Sequence, residues 1–430
     1  MSKYLITTFG CQANMADSEK TAEIMESLGY NLADNMEDLV SAKNPVLIFN
    51  TCSVRQKAED RVLGLNNKLQ QLKIANCKLK IILTGCMMHY SEKELKKRLP
   101  LFNHFIDIKN IKTLEKILPK IKPNNKMLPK LCSSLKIVTF ETNNILSDGA
   151  DKKVSALIPI SNGCDKFCAY CIVPLARGKE ISRTVLDIVS DVKKAVDNGI
   201  KEIWLLGQTV NSYKNRNVKF HDLLRLINDV DGYFWIRFTS PHPKDFSDEL
   251  IKAMAKCEKF AHYINLPVQS GNNDILKKMG RSYTVGHYKN LIKKIRKAIP
   301  DIAISTDVIV GFPGETKKQF KDTTKLFKEV KFDMAFISEY SPRPKTAAAK
   351  MFKDDVPHKE KRRRKNELNE ILKKTALENN EKLVGKTVKV LNGRTEGNKP
   401  IEINGKYKKD EFIRAKITKA NIWSLKGKLL

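Results

Sequence analysis

The chain has 430 residues, 41% of them apolar, which is enough for two or three domains with separate hydrophobic cores. It contains no run of about 18 apolar residues, and its first residues, MSKYLITTFG, lack the apolar core of a signal peptide. The composition therefore excludes a spanning helix and predicts a cytoplasmic protein. Lys and Arg total 79 against 48 Asp and Glu, and the resulting net charge of +31 favours a polyanionic partner such as nucleic acid.

Residues 1–120 alternate strand-like apolar runs with helical patterns, which predicts a doubly wound α/β domain. Buried strands are predicted at residues 4–9, 46–49 and 81–84. Asp17 or Ser18 is predicted to cap a helix that ends near Leu28.

The middle of the chain is predicted to be an open α/β barrel. Residues 121–150 are polar and have no sustained period, so we interpret them as a linker. In residues 151–382, six strand-like runs separated by amphipathic helices fit a partial (β/α)6 barrel with its site at the strand C-termini. These predicted strands cover residues 156–160, 203–206, 235–239, 263–268, 302–310 and 334–340.

The end of the chain is predicted to be a charged helix at 359–382 followed by an all-β segment at 383–430. Alternating runs such as TVKVLN and EFIRAKITKA, separated by Gly and Asn turns, predict a small OB-like barrel. This segment has 12 Lys or Arg against 4 Asp or Glu, a surplus of 8 that suggests nucleic-acid binding. We interpret the run KRRRK at 361–365 as a solvated helix face rather than a specific contact.

Three cysteines after the first predicted barrel strand carry the strongest chemical signal. Cys164, Cys168 and Cys171 form a CxxxCxxC run. Iron–sulfur clusters usually take four Cys ligands, so a three-Cys set indicates a cubane with one iron open to an exogenous ligand. An open iron can bind the amino and carboxylate groups of S-adenosylmethionine. The alternatives are a zinc knuckle or three buried thiols, although a structural zinc site needs a fourth ligand that this segment does not supply.

A second set of cysteines is spread over the first domain. Cys11, Cys52 and Cys86 each follow a predicted strand directly, and ligands of doubly wound sheets gather at those strand ends. Three thiols brought to one crevice predict a second metal site, and the alternative is that they are packing residues. No function is assigned to the remaining cysteines, which are Cys77, Cys132 and Cys257.

The motifs together resemble the radical S-adenosylmethionine methylthiotransferases over nearly the whole chain. The segments TFGCQANMADSE, NTCSVRQKAEDR, CDKFCAYCIVPLARGKEISR and LPVQSGNNDILKKMGRSYT are similar to the members that act on isopentenyladenosine (dimethylallyladenosine) of tRNA. NTCSVR separates them from relatives that act on threonylcarbamoyladenosine or on a ribosomal protein. Lys345 stands where the family's SPRPGT has glycine. The resemblance implies that the C-terminal segment is an RNA-binding TRAM domain.

This resemblance implies two 4Fe–4S clusters and the use of S-adenosylmethionine. The cluster on Cys164, Cys168 and Cys171 is expected to cleave S-adenosylmethionine to methionine and a 5′-deoxyadenosyl radical, which abstracts hydrogen from C2 of the adenine. The cluster on the first-domain cysteines is expected to supply or carry the sulfur, which a second S-adenosylmethionine methylates. The implied partners are tRNA and a low-potential electron donor of the flavodoxin or ferredoxin type. We expect a monomer with no membrane partner.

Four residues at the ends of predicted strands are candidates for binding S-adenosylmethionine: Gly207, Gln208, Ser240 and Gly311. Glycine permits close backbone approach to a ligand. Ordinary βα turns would explain the same residues.

Three other residues have two interpretations each. Arg177 and Arg183, just beyond the cluster motif, are candidates for contacting phosphate or carboxylate, or they are solvated surface charges. His242 titrates near neutrality, but abstraction at C2 needs no strong base, so we predict a role in the turn between Pro241 and Pro243. No catalytic side chain is assigned.

Two other functions remain open at this stage. One is a methylthiotransferase for threonylcarbamoyladenosine of tRNA or for an aspartate of a ribosomal protein. The other is a non-catalytic tRNA-binding protein whose cysteines hold zinc.

Overall fold

The computed structural model describes residues 1–54, 56–121 and 154–430. The predicted linker at 121–150 lies outside the described residues, apart from Ile121. Within the described ranges, no helix is long and apolar enough to cross a membrane.

The described residues form two compact units. One contains the N-terminal residues together with Ile172–Gly178, and the other contains Val154–Cys171 and Lys179–Leu430. Residues 383–430 thus share a unit with the residues before them. The division of the chain into three domains stays a prediction.

A five-stranded parallel sheet forms the centre of the N-terminal unit, and its strand order is β2-β1-β3-β4-β5. The strands are β1 (Ser2–Phe9), β2 (Asn31–Leu32), β3 (Asn44–Thr51), β4 (Lys80–Gly85) and β5 (His104–Ile106). The helices are α1 (Gln12–Ser27), α2 (Met36–Val40), α3 (Gln56–Leu63), α4 (Asn66–Ala75), α5 (Glu92–Arg98), α6 (Leu114–Ile117) and α7 (Val173–Arg177), with 3-10 helices at Cys86–His89 and Ile108–Thr113. This strand order belongs to flavodoxin-like sheets, whose ligand crevice opens at the C-terminal ends of β1 and β3.

Both faces of this sheet are buried. In β3, Leu47 and Phe49 pack into one core, whereas Val46 and Ile48 pack into another. Successive strand residues point to opposite faces, so a strand covered on both sides is apolar throughout. This explains the continuous apolar run that predicted the strand.

The start of α1 differs from the sequence prediction. The helix begins at Gln12 with Cys11 as its N-cap, and not at Asp17 or Ser18. Ser18 is buried inside the helix, where its hydroxyl accepts a hydrogen bond from Asn50 at 2.9 Å. Helix N-caps favour short polar side chains, and Asp17 and Ser18 come roughly two helical turns after the true N-cap.

The second unit contains the six predicted strands of the partial barrel. Its elements up to residue 381 are β6 (Ser155–Pro159), β7 (Ser161–Asn162), β8 (Ile181–Ser182), α8 (Val185–Asp197), β9 (Glu202–Leu206), β10 (Lys214–Asn215), β11 (Val218–Lys219), α9 (Phe220–Asn228), β12 (Trp235–Phe238), α10 (Asp248–Lys256), β13 (Tyr263–Asn265), α11 (Asn273–Lys278), α12 (Val285–Ala298), β14 (Ala303–Val310), α13 (Lys317–Val330), β15 (Met334–Glu339), α14 (Ala347–Met351) and α15 (His358–Glu381), with 3-10 helices at Val210–Ser212 and Pro243–Asp245. Strands β6, β9 and β12 form one parallel sheet, and β13, β14 and β15 form another. A parallel bridge between Ile236 and Phe260 connects the two sheets. The predicted open barrel is confirmed.

A five-stranded sheet follows α15, in the order β17-β16-β19-β20-β18. Its strands are β16 (Thr387–Leu391), β17 (Arg394–Thr395), β18 (Ile401–Asn404), β19 (Ile413–Ala420) and β20 (Leu425–Leu429). Val390, Ala415, Ile417 and Leu425 form its small core.

This C-terminal sheet packs on barrel strand β12. The Arg237 guanidinium is completely buried and pairs with Glu202 at 2.6 Å. It also donates to the carbonyl oxygens of Glu396 at 2.7 Å and Thr395 at 3.1 Å. Because an unpaired buried charge is costly, these contacts make the sheet part of the same folded body.

The prediction that KRRRK forms a solvated helix face is wrong for two of its members. Lys361 and Arg364 are 4% and 3% exposed. The Arg364 guanidinium pairs with Glu315 at 2.7 Å, and Lys361 Nζ pairs with Asp354 at 2.6 Å. Residues three apart share a helix face, so one face of α15 carries these two cations into the protein while Arg362 and Arg363 stay exposed.

Candidate iron–sulfur and cofactor sites

The three first-domain cysteines lie at the C-terminal ends of neighbouring strands. Cys11 follows β1 and caps α1, Cys52 follows β3, and Cys86 follows β4 and begins a 3-10 helix. The Cys52 N–H donates to the carbonyl of Phe9 at 2.8 Å, which ties the ends of β1 and β3 together. The sheet order thus brings these thiols to one edge, as the sequence predicts.

The hydrogen bonds of Asn14 and the backbone of Gly85 allow the strand ends to approach each other. The Asn14 side chain donates to Asn50 at 2.9 Å and to the Thr51 carbonyl at 3.2 Å, and it accepts from the Cys11 N–H at 3.3 Å. Gly85 has φ +93°, and a Cβ there would lie 2.5 Å from the Thr51 carbonyl oxygen. Only glycine accepts both this backbone conformation and this contact.

Cys52 interacts with both of the other thiols in this set. Hydrogen bonding with Cys52 lowers the pKa of Cys11 to about 5 and the pKa of Cys86 to about 6. The same contacts raise the pKa of Cys52. Two of the three thiols therefore favour the thiolate, which is the form that binds metals.

A buried arginine lies beside this set. Arg177, 5% exposed, ends α7 and pairs with Asp17 at 2.7 Å. Its guanidinium also donates a hydrogen bond to Cys86, and α7 packs against the 3-10 helix that Cys86 begins. The sequence predicts that Arg177 contacts phosphate or a carboxylate, or else is a solvated surface charge; Arg177 is buried, and the carboxylate that it contacts belongs to the protein.

The second set of cysteines occupies one loop after β6 and β7. Cys164 is buried, and its Sγ lies 3.5 Å from the Thr209 hydroxyl and accepts from the Lys166 N–H at 3.4 Å. Cys168 and Cys171 are half-buried, and the Cys171 N–H donates to the Cys168 carbonyl at 3.0 Å. The loop therefore turns tightly enough to hold all three thiols on one short segment.

Two neighbouring segments support this loop. The Ala169 N–H donates to the Met279 carbonyl at 2.8 Å, and the Ala169 carbonyl accepts from the Ala348 N–H at 2.7 Å. Gly280 has φ +70°, and a Cβ there would lie 2.8 Å from the Phe167 carbonyl oxygen. The close approach of these segments fixes the position of the cysteine loop.

A second buried arginine contacts this set. Arg281 is 8% exposed, and its Nη1 lies 3.5 Å from Cys168 Sγ. Its Nε donates to the Tyr283 hydroxyl at 2.9 Å, and its Nη2 donates to the Pro267 carbonyl at 3.1 Å. Nearby, burial raises the pKa of Tyr170, which packs against a small apolar cluster that includes Met279 and Phe312.

Candidate S-adenosylmethionine residues lie on loops after the barrel strands. Gly207 and Gln208 follow β9, and a Cβ at Gly207 would lie 2.8 Å from Ser161 Oγ. Buried side-chain oxygens of Ser161, Gln208 and Gln269 have no hydrogen-bond partner among the described residues. Ser240 and Gln269 have φ values of +55° and +69°, and such strained backbone clusters at ligand sites. Orphaned polar atoms at strand ends fit a polar ligand bound there.

Gly311 has a structural explanation of its own. Its N–H donates to Glu315 at 2.7 Å, and a Cβ there would lie 2.4 Å from Lys361 Cγ. Its φ of +69° also favours glycine. The role of Gly311 in binding S-adenosylmethionine stays a prediction, as it does for Gly207, Gln208 and Ser240.

Arg183 and His242 have structural partners. Arg183 donates to the Pro159 carbonyl at 2.8 Å and pairs with Asp191 at 2.6 Å. His242 caps the 3-10 helix at Pro243–Asp245, and burial together with Arg281 lowers its pKa to about 3. A neutral imidazole in a turn matches the predicted structural role.

Both candidate sets consist of thiol groups alone. Within the described residues, no group of three or more His, Cys, Asp or Glu side chains is arranged to hold one ion. A cubane cluster requires a different arrangement of the thiolates, because each thiolate binds its own iron at a separate corner. Three soft thiol ligands without an added His or carboxylate fit such a cluster.

Sequence reasoning missed several residues that surround the two sets: Ser161, Thr209, Gln269, Arg281 and Tyr283. Arg281 and Gln269 lie within the segment LPVQSGNNDILKKMGRSYT. The similarity of this segment to the family was the sequence signal that could have identified them. Of the unassigned cysteines, Cys77 is exposed and Cys257 is buried. Cys132 lies outside the described residues.

Two family models match the chain. Residues 158–327 match the Radical SAM superfamily. Residues 3–107 match the uncharacterized protein family UPF0004. Each match covers one of the two cysteine sets.

Among solved structures, the radical S-adenosylmethionine methyltransferase TsrM from Kitasatospora setae aligns with a TM-score of 0.58 at 14% identity, covering 81% of this chain and 74% of that chain. The cobalamin-dependent S-adenosylmethionine radical enzyme OxsB aligns with a TM-score of 0.53 at 14% identity, covering 87% of this chain and 56% of that chain. At this identity the likeness shows a shared fold.

Curated relatives are similar over nearly the full length. Proteins from Clostridium botulinum (strain Langeland / NCTC 10281 / Type F) and Thermoanaerobacter sp. (strain X514) are both 41% identical, with 99% of this chain covered and 97% and 92% of theirs. A protein from Clostridium novyi (strain NT) is 40% identical, with 100% of this chain and 96% of its own length covered. All three are named tRNA-2-methylthio-N(6)-dimethylallyladenosine synthase. This chain therefore belongs to the radical S-adenosylmethionine family of tRNA-2-methylthio-N(6)-dimethylallyladenosine synthases.

Proposed function

We propose that this chain adds a methylthio group to C2 of dimethylallyladenosine in tRNA, using two 4Fe–4S clusters and S-adenosylmethionine. The observation that carries the proposal is the pair of three-cysteine sets, each at the C-terminal edge of a parallel sheet. Ligands bind at that edge in open α/β folds.

The cysteine sets have different roles in this proposal. Cys164, Cys168 and Cys171 hold the cluster whose open iron binds S-adenosylmethionine, and Cys11, Cys52 and Cys86 hold the auxiliary cluster. When bound, these groups supply the radical that activates C2 and the sulfur that is transferred and methylated. The protein positions the groups and excludes water.

The S-adenosylmethionine site lies at the strand ends of the barrel. The unpartnered Gln208 side-chain oxygen, and those of Ser161 and Gln269, can accept hydrogen bonds from the amino and hydroxyl groups of this ligand. Gly207 leaves space for a close approach, and Ser240 presents its strained backbone at the next strand end. The hydrogen bond from the Gly311 N–H to Glu315 holds the loop after β14 in place, and Gly311 contributes to the site through this loop.

The C-terminal sheet is proposed to be an OB-like TRAM domain that binds tRNA. Lys406, Tyr407, Phe412 and Arg414 line a cavity of about 750 Å³ on it. Aromatic rings beside cations suit stacked bases and phosphates. The surplus of basic residues in 383–430 extends this surface.

Reductive cleavage of S-adenosylmethionine consumes electrons. We therefore include a low-potential donor of the flavodoxin or ferredoxin type among the partners, with the chain acting as a monomer in the cytoplasm.

The direct test is nucleoside analysis of tRNA from cells with and without this gene. We expect 2-methylthio-dimethylallyladenosine to disappear without the gene, with its unthiolated precursor accumulating. Loss of the methylthiolated threonylcarbamoyladenosine, or of a modified ribosomal aspartate, would instead assign the alternative substrates. Zinc in anaerobically purified protein, without the visible absorption of iron–sulfur clusters, would establish the non-enzyme alternative.

Binding to tRNA tests the role of the C-terminal sheet. If about six phosphates are contacted, raising salt from about 50 to 200 mM should weaken binding about a thousandfold. Replacing the exposed Lys406 and Lys408 by Gln should reduce this salt dependence, because fewer counterions are then released. The control replaces the exposed Lys193 and Lys194 of α8 by Gln. Equal slopes for the two double variants would contradict the assignment.

A further inference from the structure

We propose that each cysteine set has one buried arginine as a positioning residue that makes its cluster easier to reduce: Arg281 through Cys168, and Arg177 through Cys86. This inference rests on the clusters of the proposed function. It concerns the electrostatics of the protein around them.

Arg281 is fixed by hydrogen bonds on all sides. Besides Cys168 Sγ at 3.5 Å, it contacts the Tyr283 hydroxyl at 2.9 Å and the Pro267 carbonyl at 3.1 Å. Tyr283 in turn donates to the Val268 carbonyl at 2.9 Å. The guanidinium therefore cannot swing to solvent without breaking this network.

The charge of Arg281 has no carboxylate partner among the described residues. Its contacts there are a phenol, a carbonyl and the thiol of Cys168. Burying a cation is costly unless a negative charge offsets it. The thiolates of a bound cluster provide that charge, and an added electron strengthens the attraction further, so Arg281 favours the reduced state.

Arg177 is arranged differently. It lies 2.7 Å from the Asp17 carboxylate and also donates to Cys86. Because Asp17 already offsets much of its charge, Arg177 should favour the reduced state of its cluster less strongly than Arg281 does.

Burial alone does not bring an arginine to a cysteine in this protein. Arg237 and Arg364 are buried even more completely than Arg177 and Arg281, yet they pair with Glu202 and Glu315, at 2.6 and 2.7 Å. Their described contacts include no cysteine. They therefore supply matched controls.

The test is a reductive titration of each cluster, followed by electron paramagnetic resonance in the full chain. When Cys11, Cys52 and Cys86 are replaced by Ala, the spectrum reports the cluster on Cys164, Cys168 and Cys171 alone. In that background we expect Arg281→Met to leave about tenfold less reduced cluster at a fixed potential, a shift of about 59 mV for one electron. Arg281→Lys, which keeps the charge, should shift less, and Arg237→Lys should not shift.

For the auxiliary cluster, one substitution is expected to increase the fraction of reduced cluster and another to decrease it. With Cys164, Cys168 and Cys171 replaced by Ala, Asp17→Asn removes the compensating carboxylate from Arg177. We expect severalfold more reduced cluster at a fixed potential, whereas Arg177→Met should give severalfold less. A shift of Asp17→Asn towards less reduced cluster would overturn the charge argument.

Iron content separates the possible failures. If the parent proteins bind no iron, the proposed function fails. If they bind iron and Arg281→Met keeps the parent potential, only this inference fails. If Arg281→Met loses its iron, Arg281→Lys decides: retention of a cluster supports the role of charge, and loss from both variants overturns it.

Discussion

The two cysteine sets reach a similar composition, three thiols and a buried arginine, by different structural routes. Cys11, Cys52 and Cys86 stand at the ends of three hydrogen-bonded strands, so the register of the sheet positions them. Cys164, Cys168 and Cys171 share one loop, which depends on the segments around Gly280 and Ala348 for its shape. The first site is as stable as its sheet, whereas the second depends on contacts that a single substitution can remove.

The largest effect should come from the loop set. Replacing Cys164, Cys168 or Cys171 singly by Ala removes one of only three protein ligands, so reductive cleavage of S-adenosylmethionine should fall to background. The measurement is 5′-deoxyadenosine formed after anaerobic reconstitution. The control is Cys77→Ala, at an exposed cysteine with no assigned function. Full production by any of the three variants would refute the open-iron site.

The strand-end set should give a different result. Replacing Cys11, Cys52 and Cys86 together by Ala should leave 5′-deoxyadenosine formation intact, because the loop set is carried by another sheet. Methylthiolated adenosine should be lost, since no sulfur is supplied. The quantity to measure is product nucleoside per 5′-deoxyadenosine formed. An unchanged ratio would mean that these cysteines are packing residues.

The smallest effect concerns the stability of a segment that contacts the loop set. Lys345 has φ +70° just before α14, whose Ala348 supports the cysteine loop. A left-handed conformation costs an L residue about 1–2 kcal/mol, and glycine returns about 0.5–1 kcal/mol of that in unfolded-state entropy. Lys345→Gly should therefore raise the free energy of unfolding by about 0.5 kcal/mol.

Chemical denaturation of the unit that contains the barrel measures this change. Lys345→Ala is the matched control, because it removes the same side chain but keeps the strained backbone. A gain for Lys345→Ala as large as for Lys345→Gly would show that the side chain, and not the backbone, was responsible.

Strand-end cysteines are predictable because two local signals coincide. An apolar run indicates a buried strand, and a cysteine directly after it falls at the sheet edge where ligands bind. The six barrel strands were predictable because each is an apolar run of strand length. The CxxxCxxC spacing of Cys164, Cys168 and Cys171 can be recognised in the sequence without a structure.

The arginines were not predictable from local pattern. Arg281 follows Gly280 in a loop, and neither residue belongs to a periodic run, so no hydrophobic periodicity indicates that the guanidinium is buried beside Cys168. The run KRRRK shows the same limit, since the burial of Lys361 and Arg364 depends on Asp354 and Glu315. Charge partners distant in sequence decide which cations are buried.

The contact between Arg237 and the C-terminal sheet has a consequence for biosynthesis. The carbonyl of Glu396 that accepts from Arg237 is synthesised 159 residues after it. Until then, the Arg237 guanidinium and the Trp235 ring, which Phe412 covers at 5.0 Å between centroids, lack part of their burial partners. N-terminal segments generally begin to fold during translation. We expect this end of the barrel to stay open on the ribosome and to close only once the last strands have emerged, so a stalled nascent chain should be cleaved by protease near Trp235.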